Sequence, residues 1–75
     1  MEIKIYTLTN CPYCVDAKEY FKSKGLRFEE IDASKPEKAV ELIKISGQTG
    51  VPVIIINKKV ILGFDKNKIN EALKI

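Results

Sequence analysis

The sequence predicts a small α/β domain: one mixed four-stranded sheet, a βαβ unit followed by a ββα unit, flanked by three helices. Two observations carry this. Stretches with strand periodicity alternate with stretches of helical periodicity over the first half of the chain. In the second half, Val53-Ile54-Ile55-Ile56 is an unbroken β-branched run, the pattern of a central strand buried on both faces, and a two-residue turn signal and a further strand follow it.

The elements follow in order. Ile3, Ile5 and Thr7 alternate with Lys4, Tyr6 and Leu8, so the first strand reads from Glu2 to Leu8. A helix begins around Cys11. Pro12 suits its first position, where the missing N–H would have had no intrahelical partner. Cys14, Ala17 and Phe21 share one face, Asp16, Lys18, Glu19 and Lys22 face water, and Gly25 is a C-terminal stop. A second strand covers Phe28 to Asp32. Ser34-Lys35-Pro36-Glu37 reads as a capping box with Ser34 as N-cap. The helix behind it carries Ala39, Val40, Leu42 and Ile43 and ends before Gly47. Asn57-Lys58 turns the central run into a strand over Lys59 to Leu62, and Gly63 breaks that pattern. Ile69, Ala72 and Leu73 mark a closing helix by their i, i+3, i+4 spacing. The first crossover is expected to be right-handed, joining parallel strands.

Composition bounds the function. The 75 residues (1–75) read as one domain, and a domain of this size buries only about 60% of the surface its unfolded chain exposes. The net charge of +3 comes from 13 basic and 10 acidic residues. The basic residues are scattered lysines plus Arg27, with no Arg-rich stripe, so no nucleic-acid partner is expected. No apolar run approaches the roughly 20 residues that span a bilayer, so no membrane role is expected. MEIKIYTL lacks the basic and apolar regions of a secretory signal, so the expected location is cytoplasmic. A monomer is expected, since no long apolar stripe is left without a place.

Cys11 and Cys14, in LTNCPYC, are the only cysteines. A structural zinc site needs four ligands, commonly Cys or His, and the chain has no histidine; no metal site is expected. A structural disulfide would close too short a loop to remove much chain entropy, in a compartment that reduces it. Inert buried thiols are a third reading, but a helix N-terminus is a poor place for inertness. Redox chemistry has a mechanism. At the helix N-terminus, unpaired N–H groups and the positive dipole end stabilise a thiolate. Cys14, one turn on, is placed to resolve a mixed disulfide by intramolecular attack, and Pro12 stiffens the turn between them. With no histidine as base, the thiolate depends on these donors and on any nearby lysine. Lys18, four residues after Cys14, is either such a lysine or a surface residue.

Thr49-Gly50-Val51-Pro52-Val53-Ile54 puts a proline at the mouth of the central strand, where it is tolerated. The plain reading is a strand-start proline. The sharper one is a cis Val51-Pro52 bond opposite Cys11, leaving the Val51 backbone to pair with an extended substrate.

CPYC after the first strand, GVPV before the third and Gly63-Phe64 after the fourth together resemble the glutaredoxins, over essentially the whole chain. The resemblance implies a thioredoxin fold, a cis Val51-Pro52 bond, Cys11 as nucleophile and Cys14 as resolving thiol. It implies protein disulfides or glutathione mixed disulfides as substrates and no bound cofactor. Glutathione is then the reductant or co-substrate, with a disulfide reductase as electron source. Tyr13, Gln48, Val51, Pro52 and Gly63 match positions that line the family's glutathione groove, and Phe64 and Asp65 follow in the same segment. Three departures stand out: Leu8 where many members have Lys or Arg, Gly50 for the usual threonine, and Leu62-Gly63 for the usual Gly-Gly. The Gly-Phe-Asp-Lys segment is similar instead to small glutaredoxin-like redoxins, some reduced by a thioredoxin reductase and some supplying ribonucleotide reductase or a peroxidase. A further alternative is a [2Fe–2S] cluster shared by two copies through Cys11 and external thiols. Pro12 and Tyr13 disfavour it relative to small-residue active sites.

Overall fold

The computed structural model describes residues 2–74. It contains β1 (Ile3–Thr7), α1 (Pro12–Ser23), β2 (Glu29–Asp32), α2 (Pro36–Ser46), β3 (Val53–Ile56), β4 (Lys59–Leu62) and α3 (Lys66–Leu73). All seven expected elements occur in the expected order, with Glu2, Leu8 and Phe28 lying just outside the strands. The sheet order is β2-β1-β3-β4. β1 runs parallel to β2 and antiparallel to β3, and β3 is antiparallel to β4.

Register explains why the apolar residues divide between two faces. Ile5 pairs with Ile54 and Ile54 with Ile61, placing all three on one face. There they pack with Ala17 and Phe21 of α1 and Ile69 and Leu73 of α3. Tyr6 pairs with Ile31 and Val53, and these pack on the other face with Leu42 of α2. β3 is therefore covered on both sides, as its unbroken apolar run predicts, with only Ile55 half-exposed. The Tyr6 hydroxyl donates to Glu41 and ties β1 to α2. Burial first, then Glu41, pushes the Tyr6 phenol well above its ordinary range.

Helix and turn ends follow local chemistry. α1 closes in a Schellman motif: Leu26 N–H bonds to Phe21 O and Gly25 N–H to Lys22 O, both at 3.0 Å, with Gly25 left-handed at φ 68°. Asn57 and Lys58 both have positive φ, as a two-residue hairpin turn of type I′ requires. The capping box is corrected. The N-cap of α2 is Lys35, which makes no side-chain cap. Asp32 Oδ1 accepts from both the N–H (2.9 Å) and the hydroxyl (2.6 Å) of Ser34, holding that residue in a turn before the helix. Pro36 takes the first helical position instead, as Pro12 does in α1.

Candidate active site

Four strand ends meet at one edge of the sheet. Thr7 at the end of β1 pairs with Asp32 at the end of β2, Tyr6 pairs with Val53 at the start of β3, and Val53 with Leu62 at the end of β4. The Gly63 N–H donates to Pro52 O at 2.9 Å and joins β4 to the turn before β3. The Val51-Pro52 bond is cis.

From this edge the chain turns through Thr9 and Asn10 into α1. Asn10 is left-handed at φ 62°, a conformation asparagine tolerates better than most residues. That turn delivers Cys11 to the N-cap of α1 with extended backbone. Its sulfur accepts the Cys14 N–H at 3.2 Å, and its carbonyl accepts from Cys14 and Val15 at 3.1 and 3.2 Å. The Cys14 N–H is thus shared between the Cys11 sulfur and the Cys11 carbonyl at the start of α1, and no acidic side chain in the first turn offsets the positive end of the dipole. Cys11 and Cys14 are joined as a disulfide, with Cα atoms 5.2 Å apart. Cys11 is half-buried, while Cys14 is only 1% exposed.

A groove of ≈ 870 Å³ flanks the pair on the β2 side. Within it, Glu30 Oε2 accepts from Lys18 Nζ at 2.9 Å and from Thr7 Oγ1 at 2.8 Å. The Lys18 hydrogen bond first, then that of Thr7, holds the Glu30 carboxyl below the usual carboxylate range. Leu8 lines the same groove.

The other predicted site residues lie around this edge in different ways. Tyr13 projects into solvent at 65% exposure, Val51 is half-buried and Pro52 buried. Gln48 is exposed, its side-chain amide lying over Gly50. Gly63 is left-handed at φ 78° with its N–H on Pro52. Phe64 turns its ring edge-on to Tyr20 of α1, 5.8 Å between centroids, and Asp65 caps α3 by accepting the Lys68 N–H at 3.2 Å. The sequence singles out Lys18 as a lysine near the thiols, but sequence reasoning missed Asn10 and the Thr7–Glu30 link that completes the Lys18 cluster. The first has a signal, an Asn in a turn before a helix. The second belongs to a cluster across three elements and has none.

The glutaredoxin family profile matches residues 3–61. The chain belongs to the glutaredoxin family. Glutaredoxin 3 of Escherichia coli is 45% identical over 67 residues, covering 84% of this chain and 77% of that protein. The glutaredoxin-like 8.6 kDa protein in the rubredoxin operon of Clostridium pasteurianum is 40% identical over 73 residues, 96% and 97% of the two chains. Among solved structures, the Archaeoglobus fulgidus glutaredoxin superposes with TM-score 0.87 at 29% identity, over 99% of this chain and 87% of that one. The glutaredoxin-like NrdH-redoxin of Escherichia coli, whose activity profile is described as thioredoxin-like, gives 0.81 at 31% identity over 95% and 93%. This glutaredoxin is a thiol-disulfide oxidoreductase with a thioredoxin-like fold and a Cys11–Cys14 pair. Its substrates are disulfides, and its electrons come from glutathione or a disulfide reductase. Among the described residues, no group of three or more His, Cys, Asp or Glu is placed to hold a metal ion, so a cluster on Cys11 would need thiols from outside the chain. No helix among them is long and apolar enough to cross a membrane.

Proposed function

We propose that Cys11 is the attacking thiolate and Cys14 the resolving thiol in the reduction of protein disulfides and glutathione mixed disulfides in the cytoplasm. The carrying observation is the difference between the two sulfurs: Cys11 is half-buried on a helix-terminal amide, whereas Cys14 is nearly sealed. Cys11 thiolate attacks one sulfur of the substrate disulfide, forming a mixed disulfide and expelling the other sulfur as a thiolate that takes a proton from solvent. Cys14 then loses its proton and attacks Cys11, and the second substrate sulfur leaves. The protein ends as the Cys11–Cys14 disulfide, having given up two electrons and two protons overall. The dithiol carries both electrons, so the cycle needs no bound cofactor. Pro12 stiffens the turn, and Tyr13, Gln48, Val51, Pro52 and Gly63 form the surface that receives the substrate. Phe64 and Asp65 support that surface by fixing the start of α3.

Site-resolved alkylation against pH tests the assignment. Cys11 is expected to titrate well below the ordinary thiol value of about 8.5, with Cys14 reacting slowly. Cys14→Ser is expected to accumulate a mixed disulfide at Cys11. An ordinary pKa at Cys11, or faster reaction at Cys14, refutes the roles.

A second reading concerns the reductant. Leu8 and Leu62 stand where the family usually has a cation and a glycine, and the Phe64 ring is turned toward Tyr20. The similarity to NrdH-redoxin points the same way. On this reading glutathione is the lesser reductant. A thioredoxin reductase recharges the dithiol, which then serves an enzyme such as ribonucleotide reductase or a peroxidase. Turnover with glutathione and its reductase, compared with turnover on a thioredoxin reductase, decides between them. Efficient turnover with glutathione alone removes the second reading.

A further inference from the structure

The geometry points to Lys18 as the charge partner of the reduced cysteine pair, with Glu30 as the competing anion that sets how much of that charge the pair receives. The inference rests on the reading that a thiolate forms at Cys11, and it identifies what in the fold adjusts that thiolate.

Lys18 is four residues beyond Cys14 on α1, so the two side chains are neighbours on one helix face, with Cβ atoms roughly 5–6 Å apart. Both line the groove beside the disulfide, and Lys18 is its one cation among the described residues. Its ammonium has three donors, of which Glu30 takes one. The Lys18 side chain is 26% exposed, so solvent screens it less than a fully exposed lysine. In the disulfide form both sulfurs are neutral and Glu30 balances Lys18. Reduction places a new negative charge in the same groove, and the ammonium then lies between two anions.

Glu30 is exposed, its side chain 44% accessible, but it is tethered. Its Oε2 is fixed by the hydroxyl of Thr7, a buried residue at the end of β1, four positions before Cys11. It therefore draws on Lys18 from a set place. The remaining charged groups are few. Asp32, on the same strand as Glu30, also lines the groove, and its carboxylate is bound by Ser34. Lys22, the next turn of α1, acts on Glu30 through charge. A cation among anions favours thiolate, and an anion beside that cation disfavours it. The two members of one ion pair thus push the cysteine in opposite directions, which a pair serving only to hold α1 against β2 would not do.

The test is site-resolved alkylation of the reduced full chain from pH 4 to 10 in wild type, Lys18→Met, Lys18→Arg and Glu30→Gln, with thermal unfolding of each variant. Lys18→Met is expected to raise the Cys11 pKa by about one pH unit, roughly tenfold less thiolate below the pKa. Its dithiol–disulfide equilibrium against a reference thiol shifts toward disulfide. Glu30→Gln is expected to lower the pKa and shift that equilibrium toward dithiol. Lys18→Arg keeps the charge and the wild-type titration. These opposite signs are expected whatever the wild-type value. An ordinary wild-type pKa therefore counts against the assignment of Cys11 as nucleophile, while the variants still test the charge partner. Unchanged titration in Lys18→Met, or shifts of the same sign in Lys18→Met and Glu30→Gln, overturns the inference, including where both variants merely lose stability.

Discussion

The two flanks of the CPYC turn are built differently. Toward β2, the flank is ionic and hydrogen-bonded: Thr7, Lys18 and Glu30 form a connected cluster beside the disulfide. Toward β3 and β4, it is made of Val51, Pro52 and Gly63, joined by a backbone hydrogen bond rather than by charges. Leu62, beyond it, is exposed. One flank can alter the charge state of a sulfur, and the other can offer shape and backbone to a polypeptide. On the proposed roles, the charges that act on the sulfur and the backbone that receives a polypeptide are carried by different strands.

The largest effect tests what the flanks share. Cys11→Ser is expected to abolish disulfide reduction on every substrate. Cys14→Ser is expected to stop reduction of protein disulfides at a mixed disulfide detectable by mass. If instead Cys14→Ser turns over protein disulfides normally, the two-thiol cycle is wrong. Next, Leu8→Lys restores a cation at the groove entrance. One added charge-assisted contact is worth about 1.5–3 kcal/mol, about one to two orders of magnitude in affinity for glutathione. Steady-state kinetics should register it as a lower KM for glutathione with little change for a protein reductase. Equal gains on both would mean that the charged flank does not discriminate between reductants.

A smaller effect separates support from chemistry. Asp65→Ala removes the α3 cap and is expected to cost about 1 kcal/mol of stability, measured by denaturant unfolding, while leaving the Cys11 alkylation profile unchanged. The smallest concerns acid stability. Glu30 is held ionised by Lys18 and Thr7, so its folded pKa lies below its unfolded value of about 4.5. Its contribution is fully present above that value and is lost as pH falls through the depressed folded pKa. Glu30→Gln should therefore flatten the unfolding free energy against pH below about 4.5, where wild type should decline.

Much of this is legible in the sequence alone. The apolar run over Val53–Ile56 placed the central strand, Pro12 marked the start of α1, and Gly25 and Asn57-Lys58 marked turns whose dihedral angles have the required signs. These signals work because each depends on one or two residues and their own backbone. The capping box failed at the same level. Ser34 had two local uses, capping a helix and closing a turn on Asp32, and the pattern could not tell which oxygen would hold it. Pro36 held the answer, since a proline at the first helical turn sets the N-cap beside it.

The cysteine spacing was likewise legible, and with it the reaction, because two thiols at a helix start need only local geometry to act as a pair. The tertiary structure decided their unequal burial and which charges stand beside them. It also decided that Phe64 packs on Tyr20 and that Asp65 caps α3. Lys18 and Glu30 are twelve residues apart in sequence, on a helix and a strand, and no local pattern joins them. They meet because β2 returns parallel to β1, with Glu30 level with Ile5, beside the middle of α1. A property that depends on a field summed over several elements exists only once those elements are packed.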